Sequence, residues 1–281
     1  MSLANLLVMA RCARSILLVG DQQQLSQPSQ ADHPGESGQS CLQYWMEGAS
    51  VVPNDRGVFL STSWRMEPSL TAMVSVLFYE GRLQASSANC RNRITWAKPC
   101  QSSDGQLLQG QGLVFDPVAH SGNSVCSEEE INRIETLVNA LLGGSYQHAK
   151  AGGIAAGPLT PDTILVTAPY NVQVNRLQQR LAGKARVGTV DKFQGQEAPV
   201  AIHSLTASSG DEAPRGLSFL LEPNRLNVAI SRAQCLSIVV GSPSLASGVA
   251  NTVAEAEQIN RLCEVMSICT KPDKKLEGRE P

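Results

Sequence analysis

An α/β fold with a mostly parallel sheet flanked by helices is the architecture that this 281-residue sequence predicts. The first observation is an alternation of short apolar runs with helical patterns in the second half of the chain. Strands that alternate with helices favour parallel pairing through right-handed crossovers. The second observation is that the runs are continuously apolar, which fits strands buried on both faces of a sheet. The predicted strands are 163–167, 187–190, 200–205 and 236–241.

Composition places the chain among globular proteins, with 42% apolar and 17% charged residues and a net charge of -2. A nucleic-acid contact must therefore depend on a local groove and not on overall charge. The eight cysteines include no C-x-x-C pair and no zinc spacing, so we expect reduced thiols in a cytosolic protein and no metal site. Arg11 and Arg14 interrupt the apolar N-terminus before it reaches membrane-spanning length, and no basic region precedes it as in a signal peptide.

The N-terminal residues predict a short helix over 2–14, followed by a buried strand over 15–20. Gly20, Asp21 and Gln24 then lie on a loop at the carboxyl end of that strand. An ordinary turn after a strand is the alternative interpretation of this Gly-Asp pair.

Segment 26–40 reads as an exposed loop, followed by a helix over 39–47 and a strand over 57–60. Ser63 is a candidate cap for the next helix, and Arg65 stands at the mouth of that helix. By itself an exposed arginine is most often solvated surface.

The middle of the chain predicts a variable loop over 84–112 and a strand over 113–118. Ser127 and Glu130 have the spacing of a capping box before a helix over 131–142. Segment 143–158 is rich in glycine and predicts a flexible surface excursion, in which His148 is a solvated loop residue.

Two polar stretches follow predicted elements in the last third. The first, 187–200, carries Asp191, Gln194, Gly195 and Glu197; the second, 224–233, carries Asn227 and Arg232 at the start and end of a predicted helix. Open α/β sheets place ligands outside the carboxyl ends of their strands, so these stretches are candidate ligand sites. A helix over 254–268 and a fraying tail complete the chain.

Four segments, in this order, resemble motifs III, IV, V and VI of superfamily 1B helicases, the group that includes the eukaryotic RNA-surveillance helicases: GDQQQL, STSWRM, VGTVDKFQGQE and LNVAISRA. TAPYNVQ resembles a further element of the same group. The similarity is closer still to the C-terminal end of bacterial proteins in which a RecB-like nuclease domain is fused to such a helicase, through SLANLLVMARCARSILLVGD, WRMEPSL, LFYEGRL and GTVDKFQGQEAPV. The resemblance implies a RecA-like, P-loop NTPase-type fold.

The resemblance also implies a domain organisation. Residues 1–55 correspond to the end of a first RecA-like domain, 56–270 to the second RecA-like domain, and 271–281 to a flexible tail. The 281 residues contain no G-x-x-x-x-G-K-[ST] loop and no DEAG-type acidic motif, which in the family belong to the first domain. ATP and Mg²⁺ are therefore expected only in a complete protein with an upstream RecA-like domain and a RecB-like nuclease domain, and this chain alone should hydrolyse little ATP.

Three residues match catalytic positions of the family. Gln24 matches the motif III sensor of the γ-phosphate, and Arg65 and Arg232 match two arginine fingers that stabilise charge on the transferring phosphoryl group. A plain surface salt bridge between Arg232 and Glu197 is the alternative for that pair.

Five residues match nucleotide-binding positions: Gly20, Asp21, Gly195, Glu197 and Asn227. Glu197 corresponds to a motif V acid on the sugar or phosphate side of the nucleotide. Gly195 lets the backbone approach closely. Asn227 corresponds to a residue that orients the motif VI helix, with a nucleotide contact as the second interpretation.

Thr189, Tyr170 and Gln173 match a single-strand track, with Thr189 bonding a strand phosphate. Thr189 as an ordinary strand residue and Tyr170 as a core aromatic remain alternatives. The resemblance favours 5′-to-3′ movement on DNA. The main hypothesis is thus the second motor domain of an ATP-dependent helicase, and the competing one is a non-catalytic nucleic-acid-binding or interaction module.

Overall fold

The computed structural model describes residues 1–25, 34–96, 108 and 111–269, the side chains of residues 268 and 269 excepted. The described strands are β1 (Thr62–Ser63), β2 (Gln84–Ala85), β3 (Arg93–Thr95), β4 (Gly112–Pro117), β5 (Ser145–Lys150), β6 (Gly153–Pro158), β7 (Ile164–Thr167), β8 (Arg186–Gly188), β9 (Ala198–Ser204) and β10 (Ala233–Gly241). The described α-helices are α1 (Leu3–Ala10), α2 (Cys41–Met46), α3 (Pro68–Phe78), α4 (Glu128–Leu141), α5 (Asn171–Leu181), α6 (Gly216–Leu220), α7 (Pro223–Ile230) and α8 (Val253–Cys269).

A five-stranded parallel sheet forms the centre of the molecule, in the order β4-β10-β9-β7-β8. Successive residues of one strand enter two different apolar clusters. Leu165 of β7 packs with α3, α7 and α8, whereas Ile164 and Val166 pack with α4 and α5. Both faces are therefore covered by helices, which confirms the predicted α/β fold and explains why the strands read as continuous apolar runs.

The four strands predicted in the second half of the chain are confirmed, with ends shifted by a few residues. The predicted helices that become α1, α2, α3, α4, α7 and α8 are also confirmed. Most of the predicted loop 26–40 and the whole tail 271–281 lie outside the described residues. Within the described part, no helix is both long and apolar enough to cross a membrane.

The expectation of a flexible excursion over 143–158 was wrong. This segment forms the β5-β6 hairpin, and β3 pairs with β5 to complete a three-stranded antiparallel sheet. Ala151 and Gly152 make the two-residue turn, in which Gly152 has φ of 83°, so this glycine closes a hairpin and does not loosen a loop. His148 lies on β5 with its ring stacked on Tyr146 at 5.6 Å, not in a solvated loop. The loop expected over 84–112 likewise contains β2, a 3₁₀ helix and β3.

Two N-terminal strands were also predicted wrongly. Residues 15–20 and 57–60 pair with no described strand. Most of their apolar side chains are exposed, with Leu17 at 87% and Val58 at 83%, whereas Leu18 and Phe59 are half-buried. An apolar run shows that a segment can be buried as a strand. A β-strand forms only where a neighbouring strand supplies hydrogen bonds, and the described residues supply no such neighbour here.

Helix capping differs from the sequence prediction at two points. The cap of α3 is Glu67 and not Ser63, because the Glu67 carboxylate accepts from the backbone N–H groups of Ser69 and Leu70, each at 2.9 Å. At α4 Ser127 is the cap as predicted and accepts from the Glu130 N–H at 3.2 Å. The return bond of a capping box is absent there, since the Glu130 carboxylate is bound elsewhere.

Candidate functional site

Glu197 and Arg232 lie at the amino edge of the central sheet, immediately before β9 and β10. The expectation that they lie outside the carboxyl ends of the strands was wrong, because the chain crosses back to the amino edge before each of these two strands begins. Ala198 and Ala233 are paired across the two strands, so the residues that precede them are held side by side. Arg232 is only 2% exposed. Its Nε donates to the Val228 carbonyl at 3.0 Å, and one terminal nitrogen donates to the Gln196 carbonyl at 3.1 Å.

Burial lowers the pKa of Arg232 to about 10, and the nearby positive charge of Arg65 acts in the same direction. The guanidinium therefore stays charged at neutral pH, in an environment that lacks a full counter-charge. An anion entering this environment would gain more from Arg232 than from a solvated arginine.

Arg65 and Glu197 form an ion pair beside Arg232, although they are 132 residues apart in sequence. Arg65 Nε donates to a Glu197 oxygen at 2.6 Å, and a terminal nitrogen of Arg65 donates to the Ser231 carbonyl at 3.1 Å. The Gln234 amide donates to the other Glu197 oxygen at 2.9 Å. The three charged residues carry a net charge of about +1 at neutral pH, which suits a phosphoryl group.

The loop that carries Asp21 and Gln24 is fastened to the end of α3 and to α7. Asp21 accepts from the Gln24 amide at 2.9 Å and from the Tyr79 hydroxyl at 2.6 Å. Asn227 donates through its amide nitrogen to both the Gln23 carbonyl at 2.8 Å and the Tyr79 hydroxyl at 2.9 Å. The loop of residues 21–24 and helix α7 thus meet through Tyr79.

Tyr79 was not among the residues selected from the sequence. Burial, reinforced by the charge of Asp21, raises its pKa, so the phenol stays protonated and acts as the donor to the carboxylate. Asn227 is fully buried, and its side-chain oxygen has no partner among the described residues. No sequence pattern could have identified Tyr79, because its contact with Asn227 depends on how α3 and α7 pack against each other.

A cleft of about 1250 Å³ joins these groups. Its lining includes Gly20, Asp21, Gln24, Arg65 and Glu197. Ser231 also lines it and places the neighbouring Arg232 directly behind the wall. Gly195 has φ of 79°, a left-handed conformation that glycine adopts without strain, in the exposed turn before Glu197.

Thr189 and Tyr170 lie at the opposite, carboxyl edge of the sheet. Tyr170 follows β7 and Thr189 follows β8, and these strands are parallel neighbours with Thr167 paired to Gly188. Tyr170 is 8% exposed, and its hydroxyl has no described hydrogen-bond partner. The nucleotide-side and strand-side candidates are therefore on different edges of the sheet.

Gln173 differs from the other two strand-side candidates because it is fully buried. Its oxygen accepts from the Ser127 N–H at 2.9 Å, and its nitrogen donates to the Ser204 hydroxyl at 3.0 Å. Ser204 in turn donates to Glu130 at 2.5 Å. Gln173 therefore connects α5 to the start of α4 and to the end of β9, and it presents no atom to a ligand.

Among the described residues, no group of three or more His, Cys, Asp or Glu side chains could hold a metal ion. The carboxylates of the cleft are instead bound to arginine, tyrosine or amide groups. The chemistry that this wall offers is therefore charge stabilisation by arginine.

Comparison with known proteins identifies the family of the chain. The family model described as an AAA domain (AAA_12) matches residues 38–244. The chain is 30% identical over 247 residues to the "Regulator of nonsense transcripts 1 homolog" of Drosophila melanogaster, covering 83% of this chain and 19% of that protein. It is 28% identical over 249 residues to the "ATP-dependent helicase upf1" of Schizosaccharomyces pombe, covering 83% of this chain and 24% of that protein.

The chain thus spans about a fifth of the length of these relatives. The family match covers more than half of the chain, including Arg65, Glu197 and Arg232. The chain belongs to the AAA domain family and is homologous to superfamily 1 helicases of the regulator-of-nonsense-transcripts type.

Proposed function

We propose that this chain is the second motor domain, with the end of the first, of an ATP-dependent nucleic-acid helicase or translocase. The observation that carries the proposal is the meeting of Arg65, Glu197 and Arg232 with the Asp21–Gln24 loop on one cleft. The phosphate-binding loop and the Mg²⁺ carboxylates would come from a part of the protein outside this sequence, which fits the short share of the relatives that the chain spans.

In this proposal the two arginines act on the γ-phosphate. Arg65 is partly exposed on the cleft and can exchange its Glu197 partner for a phosphate oxygen. Arg232 is held behind it by the Gln196 and Val228 carbonyls and supplies a fixed positive charge. An arginine so placed stabilises the charge of the transition state and is worth about a thousandfold or more in related NTPases.

Gln24 would sense the γ-phosphate by exchanging its Asp21 hydrogen bond for a phosphate contact. Asp21 is hydrogen-bonded to Tyr79, and Tyr79 to Asn227 of α7, so loss of the phosphate would change the hydrogen bonds that hold α7. Gly20, Gly195 and Glu197 belong to the same nucleotide site in the proposal. ATP with Mg²⁺ is the proposed cofactor.

The carboxyl edge with Thr189 and Tyr170 would hold a single strand, which we propose to be DNA and test against RNA. Contacts to phosphate and sugar carry no sequence information, as a translocating motor requires. An upstream RecA-like domain, a RecB-like nuclease domain and a cytoplasmic location belong to the same proposal.

The first test is ATP turnover. The purified 281-residue chain should hydrolyse no ATP above background with single-stranded DNA present. In the longer protein that contains the phosphate-binding loop, Arg232→Lys should lower strand-stimulated kcat by about a thousandfold. The lysine ammonium carries the same charge but cannot donate the two parallel hydrogen bonds of the planar guanidinium. Arg180→Lys is the matched control, because Arg180 pairs only with surface groups of α4 such as Glu128.

Two results would contradict the proposal. Robust hydrolysis by the 281-residue chain would mean that it contains its own phosphate site. Normal turnover by Arg232→Lys, with folding verified, would refute the role of Arg232 in catalysis. Absence of strand-stimulated turnover in the longer wild-type protein would favour the competing function, a nucleic-acid-binding module without a motor.

A further inference from the structure

An aromatic and cationic cluster lies in the segment that joins β9 to α7. The guanidinium of Arg215 covers the Phe219 ring, with 3.6 Å from its central carbon to the ring centroid. Arg225 contacts the same ring at 4.8 Å, and the Tyr170 ring lies 5.7 Å away. Two residues close in sequence to Phe219 and one remote residue, Tyr170, thus converge on its ring.

The cluster is at the carboxyl edge of the sheet. Tyr170 follows β7, and the segment with Phe219 follows β9, its parallel neighbour. Arg225 is linked through Asp191 at 3.1 Å to the turn that follows Thr189. The cluster therefore continues the line of strand-side candidates away from the nucleotide cleft.

The two arginines differ in their partners. Arg225 is neutralised by ion pairs with Asp191 and Glu222. Arg215 is exposed and forms no ion pair with any described residue. The central carbon of its guanidinium lies 3.6 Å from the Phe219 ring centroid, so the cation contacts the ring while the residue stays exposed. A cation fixed in this way fits a flat, electron-rich ligand better than a freely rotating side chain does.

Tyr170 adds a polar group to the same place. Its hydroxyl is buried without a hydrogen-bond partner among the described residues, and leaving such a group unpaired costs free energy. Packing of Arg215 on Phe219 within a short helix would explain the stacking alone. It explains neither the unpaired charge nor the unpaired hydroxyl.

We propose that Arg215, supported by Phe219 and Tyr170, stacks an unpaired base of single-stranded nucleic acid. Bases expose their faces only when they leave a duplex, and they stack readily on arginine planes and aromatic rings. The inference rests on the proposed function, and it adds a base contact to the single-strand site proposed at the carboxyl edge of the sheet. Stacking accepts every base, so the site selects single strands without selecting a sequence.

Fluorescence anisotropy with labelled 15-nucleotide probes tests this inference on the 281-residue chain. The probes are oligo-dT, oligo-U, an abasic strand of equal length and a duplex. Arg215→Ala should weaken oligo-dT binding roughly tenfold and abasic binding much less. Arg215→Lys keeps the positive charge but removes the planar guanidinium, so it should weaken oligo-dT binding nearly as much as Arg215→Ala does. Phe219→Leu should act in the same direction, because it removes the ring that holds the guanidinium.

Arg180→Ala is the control for the loss of a surface cation, and circular dichroism checks folding of every variant. Equal weakening of oligo-dT and abasic strands by Arg215→Ala would reduce the residue to a phosphate contact and overturn the stacking site. Unchanged binding of all probes would also overturn it while leaving the proposed function in place. A wild-type chain that shows no preference for single strands over the duplex would overturn both.

Discussion

Tyr79→Phe is the substitution that best tests the link between the Asp21 loop and α7. The change removes one oxygen and keeps the ring, which is 7% exposed and packs 6.2 Å from Phe59. The hydroxyl donates to the Asp21 carboxylate at 2.6 Å and accepts from Asn227 at 2.9 Å. Each of these partners keeps another hydrogen bond in the variant.

The expected cost follows from these contacts. A hydrogen bond to a charged group contributes about 1.5 to 3 kcal/mol and a neutral one about 1 kcal/mol. Because Asp21 is partly exposed and retains other donors, we expect a loss of about 2 kcal/mol in the docking of the loop. This corresponds to about thirtyfold faster exchange of the Gln23 and Gln24 amide hydrogens.

Hydrogen exchange followed by mass spectrometry measures the docking locally, and urea unfolding measures the effect on global stability. Asp21→Asn and the double variant complete a thermodynamic cycle, in which the coupling energy should be about 1 kcal/mol or more. Tyr44→Phe is the control, since Tyr44 is an exposed ring. Exchange of the loop amides within a factor of two of wild type would refute the linking role of Tyr79.

Two further predictions concern the sheet itself. Burial lowers the pKa of His203 to about 4, below the value of about 6.5 in an unfolded chain. As the pH falls, the unfolded state therefore takes up a proton before the folded state does, so acidification from pH 6.5 to 4 should remove about 3 kcal/mol of stability. In urea unfolding measured across this pH range, His203→Gln should reduce the fall of the midpoint. Equal falls in wild type and variant would show that His203 is not the cause. Gly241→Ala places a methyl group 2.7 to 3.0 Å from three Leu205 carbons and should destabilise the protein by about 1 to 3 kcal/mol. Gly157→Ala places its methyl group 3.7 Å from the nearest atom and should be nearly neutral. Thermal unfolding of both glycine variants measures the difference, and equal destabilisation by the two substitutions would disprove the packing argument.

The sequence was informative wherever local pattern and burial agree. Strands β7, β9 and β10 are buried on both faces, so their apolar runs predicted them directly. It failed where the same pattern lacks a partner, as in residues 15–20, whose side chains stay exposed. It also failed at the β5-β6 hairpin, because the glycines that indicate flexibility are the ones that permit a tight turn.

For the candidate site, the sequence by itself determined which chemical groups are available. The motifs that carry Arg65, Glu197 and Arg232 resemble those of superfamily 1B helicases, and the comparisons support this family. Only the tertiary structure decided which groups touch. The Arg65–Glu197 pair, the Tyr79 link and the burial of Gln173 all depend on strand pairing and helix crossing between residues far apart in the chain. Local propensity fixes what each segment can form, whereas long-range packing fixes what each side chain meets, and that information is not present in any one segment.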